Sequence, residues 1–330
     1  MKTFKPYFII IVWCFIISAL LPSCAPEPGI YINDQIPSGM AGTAKELNTT
    51  LLKALQKNNL KLLETILSNE LMQRYGINGD LELCSTYMRE GKNTMLGQVY
   101  SSQTKRKLFV AKMPGKGING YSLSYTPLSK ECYIAMYTLN YRNNKWLLTA
   151  IYNKYKYGWK LSEMEVTAYT VSGKTAPEIY HEAKAGYDKG YLVGAINLME
   201  RSRRCAIPSS IWRYNEMAEM DAFYSKTLKE GNSRFDFPVV VKQVSSHPQI
   251  ISMSNTDAGY GISPLVSYVS KFDLKDTKAI DAEHQELQKV IGDVLPGINK
   301  MDKRVYFTIY NKSPFATKEK VPFVVKESNY

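Results

Sequence analysis

The chain has 330 residues, 45% of them hydrophobic and 22% charged, with a formal net charge of +12. That balance excludes a disordered or collagen-like polymer and leaves room for two or three compact units. With three histidines, and five cysteines of which none stand at C-x-x-C spacing, the sequence supports neither a zinc centre nor a thioredoxin-like one.

The N-terminus has the three parts of a secretory signal. Lys2 and Lys5 give a positive start, residues 7–21 form an almost unbroken apolar run, and a small-residue region follows. The run is too short to cross a bilayer as a stable helix, which argues against an uncleaved anchor. The stretch Leu21-Pro22-Ser23-Cys24 resembles the lipobox of bacterial lipoproteins, with Pro22 where a small residue is usual. That resemblance implies cleavage just before Cys24, a diacylglycerol on its thiol and an acylated amine. It places the protein in the cell envelope, at the outer membrane on its periplasmic or surface face. Ser23-Cys24-Ala25 also fits an ordinary signal-peptidase site, which would release a soluble protein. Residues 24–42, with their prolines, read as a lipidated cysteine and a flexible spacer.

Loss of Lys2 and Lys5 with the signal leaves 40 basic residues against 30 acidic ones, a net +10. For an exported protein such charge points to anionic headgroups or acidic glycans, not to nucleic acid. The bases are scattered, with Lys105, Arg106 and Lys107 in one place and Arg201, Arg203 and Arg204 in another. Scattered bases read mainly as solvated faces. Cys84, Cys132 and Cys205 remain for an oxidising compartment, an odd number that leaves at least one free thiol. Each is expected as a small buried hydrophobe.

Residues 43–171 read as an α+β unit. Leu47, Leu51 and Leu55, then Ile66 and Leu67, recur at helical spacing around a break at Lys57-Asn58-Asn59. From about Leu96 the period becomes two, and Arg142-Asn143-Asn144-Lys145 predicts a tight hairpin. This order of a helical pair and then a curved antiparallel sheet resembles the nuclear-transport-factor-two-like (cystatin-like) fold. The motif carriers are residues 51–71 and the hairpin 133–159 with its Gly158-Trp159-Lys160-Leu161 strand start. The resemblance implies a cone-shaped sheet whose concave face can form a pocket.

Residues 172–232 read as a short helical bundle. Thr175-Ala176-Pro177-Glu178 predicts a capping box. Ala183, Tyr187, Gly190 and Ala195 resemble one tetratricopeptide unit, and a third helix is predicted over 211–228. One such unit cannot bury its apolar stripe alone, so it must lean on a neighbour. Residues 233–330 read as a small α+β unit, with strands near 239–241, 249–254, 265–271 and 304–310 and a helix over 277–294.

Gly115, Gly117 and Gly120 have G-x-G-x-x-G spacing, but no helix follows them, so they read as a flexible connection between strands. His181 and His284 read as surface-helix histidines and His247 as a turn. No G-x-S-x-G elbow is present, and Ser102-x-x-Lys105 lacks the companion motifs of penicillin-binding enzymes. Tyr133, Tyr137 and Tyr141 share one strand face, and Trp159 extends the aromatic set. With no carboxylate or histidine among them, packing is favoured over a pocket. No cofactor, metal or catalytic group is expected. The reading is a membrane-tethered, non-catalytic binding or scaffolding protein with a protein or glycan partner. The alternatives are an enzyme of the cone-shaped class, to which only Glu163 and Glu165 lend loose support, and a carrier of anionic lipid or polyanion.

Overall fold

Strand β1 (Gly29–Ile32) leads through a 3-10 turn into helix α1 (Ser38–Gln56). Residues 24–42, expected as a spacer, are therefore folded from Gly29 onward. Pro28 directly precedes this edge strand, and Pro37 is the N-cap residue of α1. In this computed structural model residues 27–74, 77–257 and 262–330 are described. The signal segment, Cys24 and Gly259-Tyr260-Gly261 lie outside them. Among the described residues no helix is long and apolar enough to cross a membrane.

Helix α1 buries Leu47, Leu51, Ala54 and Leu55 on one face. Helices α2 (Leu60–Glu64) and α3 (Asn69–Met72) follow, their first turns capped by the side chains of Asn59 and Ser68. Helix α4 (Ile77–Glu90) completes the layer and was not foreseen. Next come β2 (Asn93–Ser102), β3 (Phe109–Met113), β4 (Tyr121–Tyr125), β5 (Glu131–Tyr141), β6 (Asn144–Tyr155) and β7 (Gly158–Ala168). The expected hairpin joins β5 to β6, with Arg142 at φ 52° in the turn. The central sheet has the order β1-β2-β5-β6-β7, antiparallel throughout.

Helices α5 (Ala176–Tyr187) and α6 (Leu192–Arg203) form the expected hairpin. The third helix differs. Residues 212–214 form strand β8 (Trp212–Tyr214), and α7 runs over Met217–Arg234. Trp212 and Tyr214 are buried while Arg213 points out, the alternation of a strand, and β8 pairs with β4. The sheet β3-β4-β8 thus takes strands from both sides of the expected boundary at 171/172. A single core runs through Val99, Ile134, Ile151, Ala183, Ala195, Trp212 and Met220.

The C-terminal unit contains β9 (Val239–Val240), β10 (Gln249–Asp257), β11 (Ile262–Val269), α8 (Thr277–Val294), β12 (Arg304–Tyr310) and β13 (Val324–Asn329). Its sheet order is β13-β12-β11-β10-β9, with β11 and β12 parallel across α8. The whole is a mixed α+β protein with helices and three sheets. His284 is buried, contrary to its reading as a surface residue. It falls on the apolar face of α8 with Ile280, Leu287 and Ile291 and packs on Phe307 at 4.7 Å.

The helical hairpin leans on the segment after α8. The Pro296 carbonyl accepts from the N–H groups of Val193 and Gly194, at 3.0 and 3.3 Å, where α6 begins. A Cβ on Gly194 would lie 2.6 Å from Met301 Sδ and 2.7 Å from the Gly297 carbonyl oxygen. A buried ion pair joins Arg201 of α6 to Asp302, and burial pulls the Arg201 guanidinium down to about 10. The small residues of this hairpin therefore admit the C-terminal unit as well as each other.

Gly194→Ala should lower stability by about 1–3 kcal/mol, because backbone as well as Met301 blocks the new methyl. Gly42→Ala, on α1 with nothing within 4 Å of its Cβ position, should raise it by about 0.5–1 kcal/mol. Denaturant midpoints of the two variants should move in opposite directions.

A second expectation concerns pH. Burial first, then the charge of Lys326, pulls His284 from 6.5 down to about 4, against the opposing charge of Asp281. Buried Glu283 lies beside it in sequence, and the His284 Nε2 meets Ser328 Oγ at 3.1 Å. With the folded value below the unfolded one, stability is full above about pH 6.5 and falls as pH drops toward 4. His284→Gln should flatten that slope, measured as the change in denaturant midpoint between neutral and mildly acid buffer.

Candidate functional site

The aromatic face lies beneath the helical layer. Register pairs Tyr31 with Tyr100, Tyr100 with Tyr133 and Tyr133 with Tyr152, which makes a row of four tyrosines across β1, β2, β5 and β6. Rings of the first and last pairs stack at 5.9 and 5.8 Å. The Tyr133 hydroxyl accepts from Asn48 Nδ2 and donates to Gln98 Oε1, each at 2.7 Å. Burial pushes it up to about 12, against the Asn48 hydrogen bond. Tyr137 is buried in the same core, Tyr141 rests on Tyr87 at 4.7 Å, and Trp159 meets Tyr100 at 6.4 Å. The four candidate residues thus share one core with α1 and α4.

Glu163 and Glu165 of β7 have their partners elsewhere. Glu163 Oε1 accepts from the Tyr125 hydroxyl at 3.0 Å, and Glu165 Oε2 accepts from Ser209 Oγ and the Ser210 N–H at 2.8 and 3.0 Å. Both point into the layer that holds β4 and β8, away from the tyrosine row. Burial raises the Glu163 carboxyl, and Tyr125 partly offsets that rise.

A cleft of about 520 Å³ opens at one end of the central sheet. Three parts of the chain meet there: the ends of β2, β5 and β6, the tip between β3 and β4, and the first turn of α5. The tip is the glycine-rich stretch read as a slack connection. It is instead tightly built, since a Cβ on Gly115 would lie 1.9 Å from the Asn119 carbonyl oxygen and Gly117 has φ +58°. Asn119 ties the tip to α5. Its Nδ2 donates to Glu178 Oε1 at 3.3 Å, and its Oδ1 accepts from the Thr175 hydroxyl at 2.6 Å.

Glu178 closes the carboxylate half of the predicted capping box, accepting from the Thr175 N–H at 2.8 Å. Burial raises its carboxyl, but the Thr175 N–H, the side-chain bonds of Thr175 and Asn119, and the Lys145 charge outweigh that and hold it low. It is therefore a carboxylate at neutral pH. Tyr121 and Tyr169 form an aromatic wall, Tyr121 stacked on Trp212 at 3.4 Å. Burial, then the charge of Glu178, pushes the Tyr169 hydroxyl up to about 12. Lys116, Lys145 and Asn140 complete the rim.

Such a lining places acceptors, donors and hydroxyls side by side, next to two buried tyrosine rings. It suits a polyhydroxylated ligand, whose many hydroxyls need partners of both kinds. None of the three histidines lines the cleft. His181 pairs with Glu216 at 2.8 Å on the surface, and His247 stands at φ 48° in its turn. Among the described residues no group of His, Cys, Asp and Glu comes together to hold a metal ion. Cys84, Cys132 and Cys205 are free and buried, and burial raises all three thiols. Sequence spacing could not find this cleft, because its lining runs from Thr94 to Glu178. The local signals that did exist were the three glycines and the capping box.

Asn119→Ala should loosen the tip without disrupting either sheet. We expect faster protease cleavage within residues 114–119 and a loss of about 1 kcal/mol, as for one part-buried and one exposed hydrogen bond. Cleavage unchanged from the native chain would show that the tip is held by other contacts.

Comparisons with the families of known proteins, with curated proteins and with solved structures find no match for this chain.

Proposed function

We propose that this is a lipid-anchored bacterial cell-envelope protein with a non-catalytic binding role, whose ligand is a glycan held in the cleft at the end of the central sheet. The observation that carries the glycan reading is the composition of that cleft. Asn119, Asn140, Glu178 and Lys145 stand with Tyr121 and Tyr169 around about 520 Å³. The anchor reading rests on Leu21-Pro22-Ser23-Cys24 after a positive start and an apolar run. Several acyl chains hold a protein firmly where one alone is marginal.

We read the first unit as a cystatin-like cone. In support, its helical layer precedes four of the five strands of an antiparallel sheet, which carry the kind of bulges that bend strands near Met95/Gly97 and Ile151/Tyr152. On that reading the concave face is the tyrosine row, packed under α1 and α4. The carboxylates that an enzyme of this class would use, Glu163 and Glu165, serve Tyr125 and Ser209 on the other face. This favours binding over catalysis.

Two measurements test the parts separately. Cys24→Ala should remove the lipid and shift the protein from the membrane to soluble or precursor fractions. Unchanged mass and detergent partitioning would end the anchor reading. Titration with neutral, acidic and N-acetylated oligosaccharides should reveal one binding class, and Asn119→Ala with Lys145→Ala should weaken it about tenfold or more. A protein that binds no saccharide, or binds one equally after both substitutions, would overturn the glycan reading.

A further inference from the structure

Where the chain enters the fold, an apolar surface ringed by cations stands open. Gly29 pairs with Ser102, so the start of β1 lies against the 103–108 loop. Ile30 is 42% exposed, Leu108 60% and Val110 51%, and together with Lys107 they line one shallow cleft of about 410 Å³. Arg106 of the same loop donates from Nη1 to the carbonyl of Leu128 at 2.9 Å, and the Leu128 side chain is 44% exposed. The loop carries Lys105, Arg106 and Lys107, all exposed, and the Gln103 N–H donates to the carbonyl of exposed Lys130 at 2.8 Å. Of the acids nearby, Glu131 is paired with Lys154 at 2.6 Å and Glu27 is exposed. Four exposed apolar side chains beside four cations have the composition of a membrane-contacting surface.

The occupant follows from the chain's path. Cys24 precedes Gly29 by five residues, a span of at most about 17 Å when fully extended. The Tyr31 hydroxyl donates to the Glu27 carbonyl at 2.8 Å and so holds the entering chain at this edge. A lipid on Cys24 would bring this surface, and no distant one, to the bilayer. The geometry points to a docking surface for an anionic lipid bilayer, formed by Ile30, Leu108, Val110 and Leu128 within the ring of Lys105, Arg106, Lys107 and Lys130. This orientation rests on the anchor reading, but the surface itself can be tested without any lipid on the protein. Docked this way, the protein meets the membrane with β1 and the 103–108 loop.

The test uses the processed chain, residues 24–330, carrying Cys24→Ala, and vesicles of phosphatidylcholine with or without phosphatidylglycerol. Cosedimentation should show binding to the mixed vesicles only, weakened by salt. Lys105→Gln, Arg106→Gln and Lys107→Gln together should weaken it about 100-fold, from about 1 kcal/mol per cation at the surface. Leu108→Ser with Val110→Ser should weaken it further while the melting temperature stays near the parent's. Lys275→Gln, Lys278→Gln and Lys289→Gln, the same charge change on and beside α8, should leave binding intact. Equal loss from both triple variants would overturn the proposal in favour of diffuse charge attraction, and so would the absence of vesicle binding by the parent chain. Failure here would leave acylation of Cys24, read by mass, untouched.

Discussion

The central antiparallel sheet is buried on both faces, and the rest of the molecule is arranged to satisfy that. Residues 132–139 of β5 and 147–153 of β6 are buried without interruption. An antiparallel sheet commonly leaves one face to water. Here Tyr133, Ala135 and Tyr137 point to the helical layer while Cys132, Ile134 and Met136 point the other way. Uncovered, that second face would expose a large apolar surface. It is covered by β3, β4 and β8 and by helices α5 to α7, so the helical hairpin and the first unit share one core.

That arrangement separates two kinds of tyrosine. Those in the row across β1 to β6 hold the sheet to its helices: the Tyr133 hydroxyl bonds Asn48 and Gln98, that of Tyr152 is buried, and those of Tyr31 and Tyr100 donate to the Glu27 carbonyl and the Glu131 carboxylate. Tyr121 and Tyr169 stand in the second core but at its rim, where the sheet ends and the α5 cap begins. A cleft results where three layers meet imperfectly, and its polar lining follows from that position. Backbone ends and helix caps bring amides, hydroxyls and a carboxylate, which strand interiors do not.

Much of the architecture was legible because its signals are local. The capping box at Thr175 and Glu178, the Arg142 turn and the apolar face of α8 each depend on residues within a few positions. The misreadings have physical causes too. The third helix was expected from residue 211, and only pairing with β4 makes Trp212–Tyr214 a strand. Strand β13, Val-Val-Lys-Glu-Ser-Asn, shows no apolar alternation and is fixed by its ladder with β12. His284 is polar by type yet sits at a core position of α8. The cleft was invisible for a different reason, since Asn119 and Glu178 meet across 59 positions.

The Pro296 carbonyl and the Met301 side chain impose an order of assembly. Arg201 and Asp302 are 101 residues apart, and the start of α6 finds its capping carbonyl at a comparable separation. A chain emerging N-terminus first can form the central sheet early, yet its helical hairpin stays unfinished until residue 302 has appeared. Contacts of such long sequence separation slow folding and leave apolar surface open meanwhile. The hairpin is therefore completed by the last segment, and a chain truncated before residue 296 would display the uncovered end of α6 as a target for quality-control proteases.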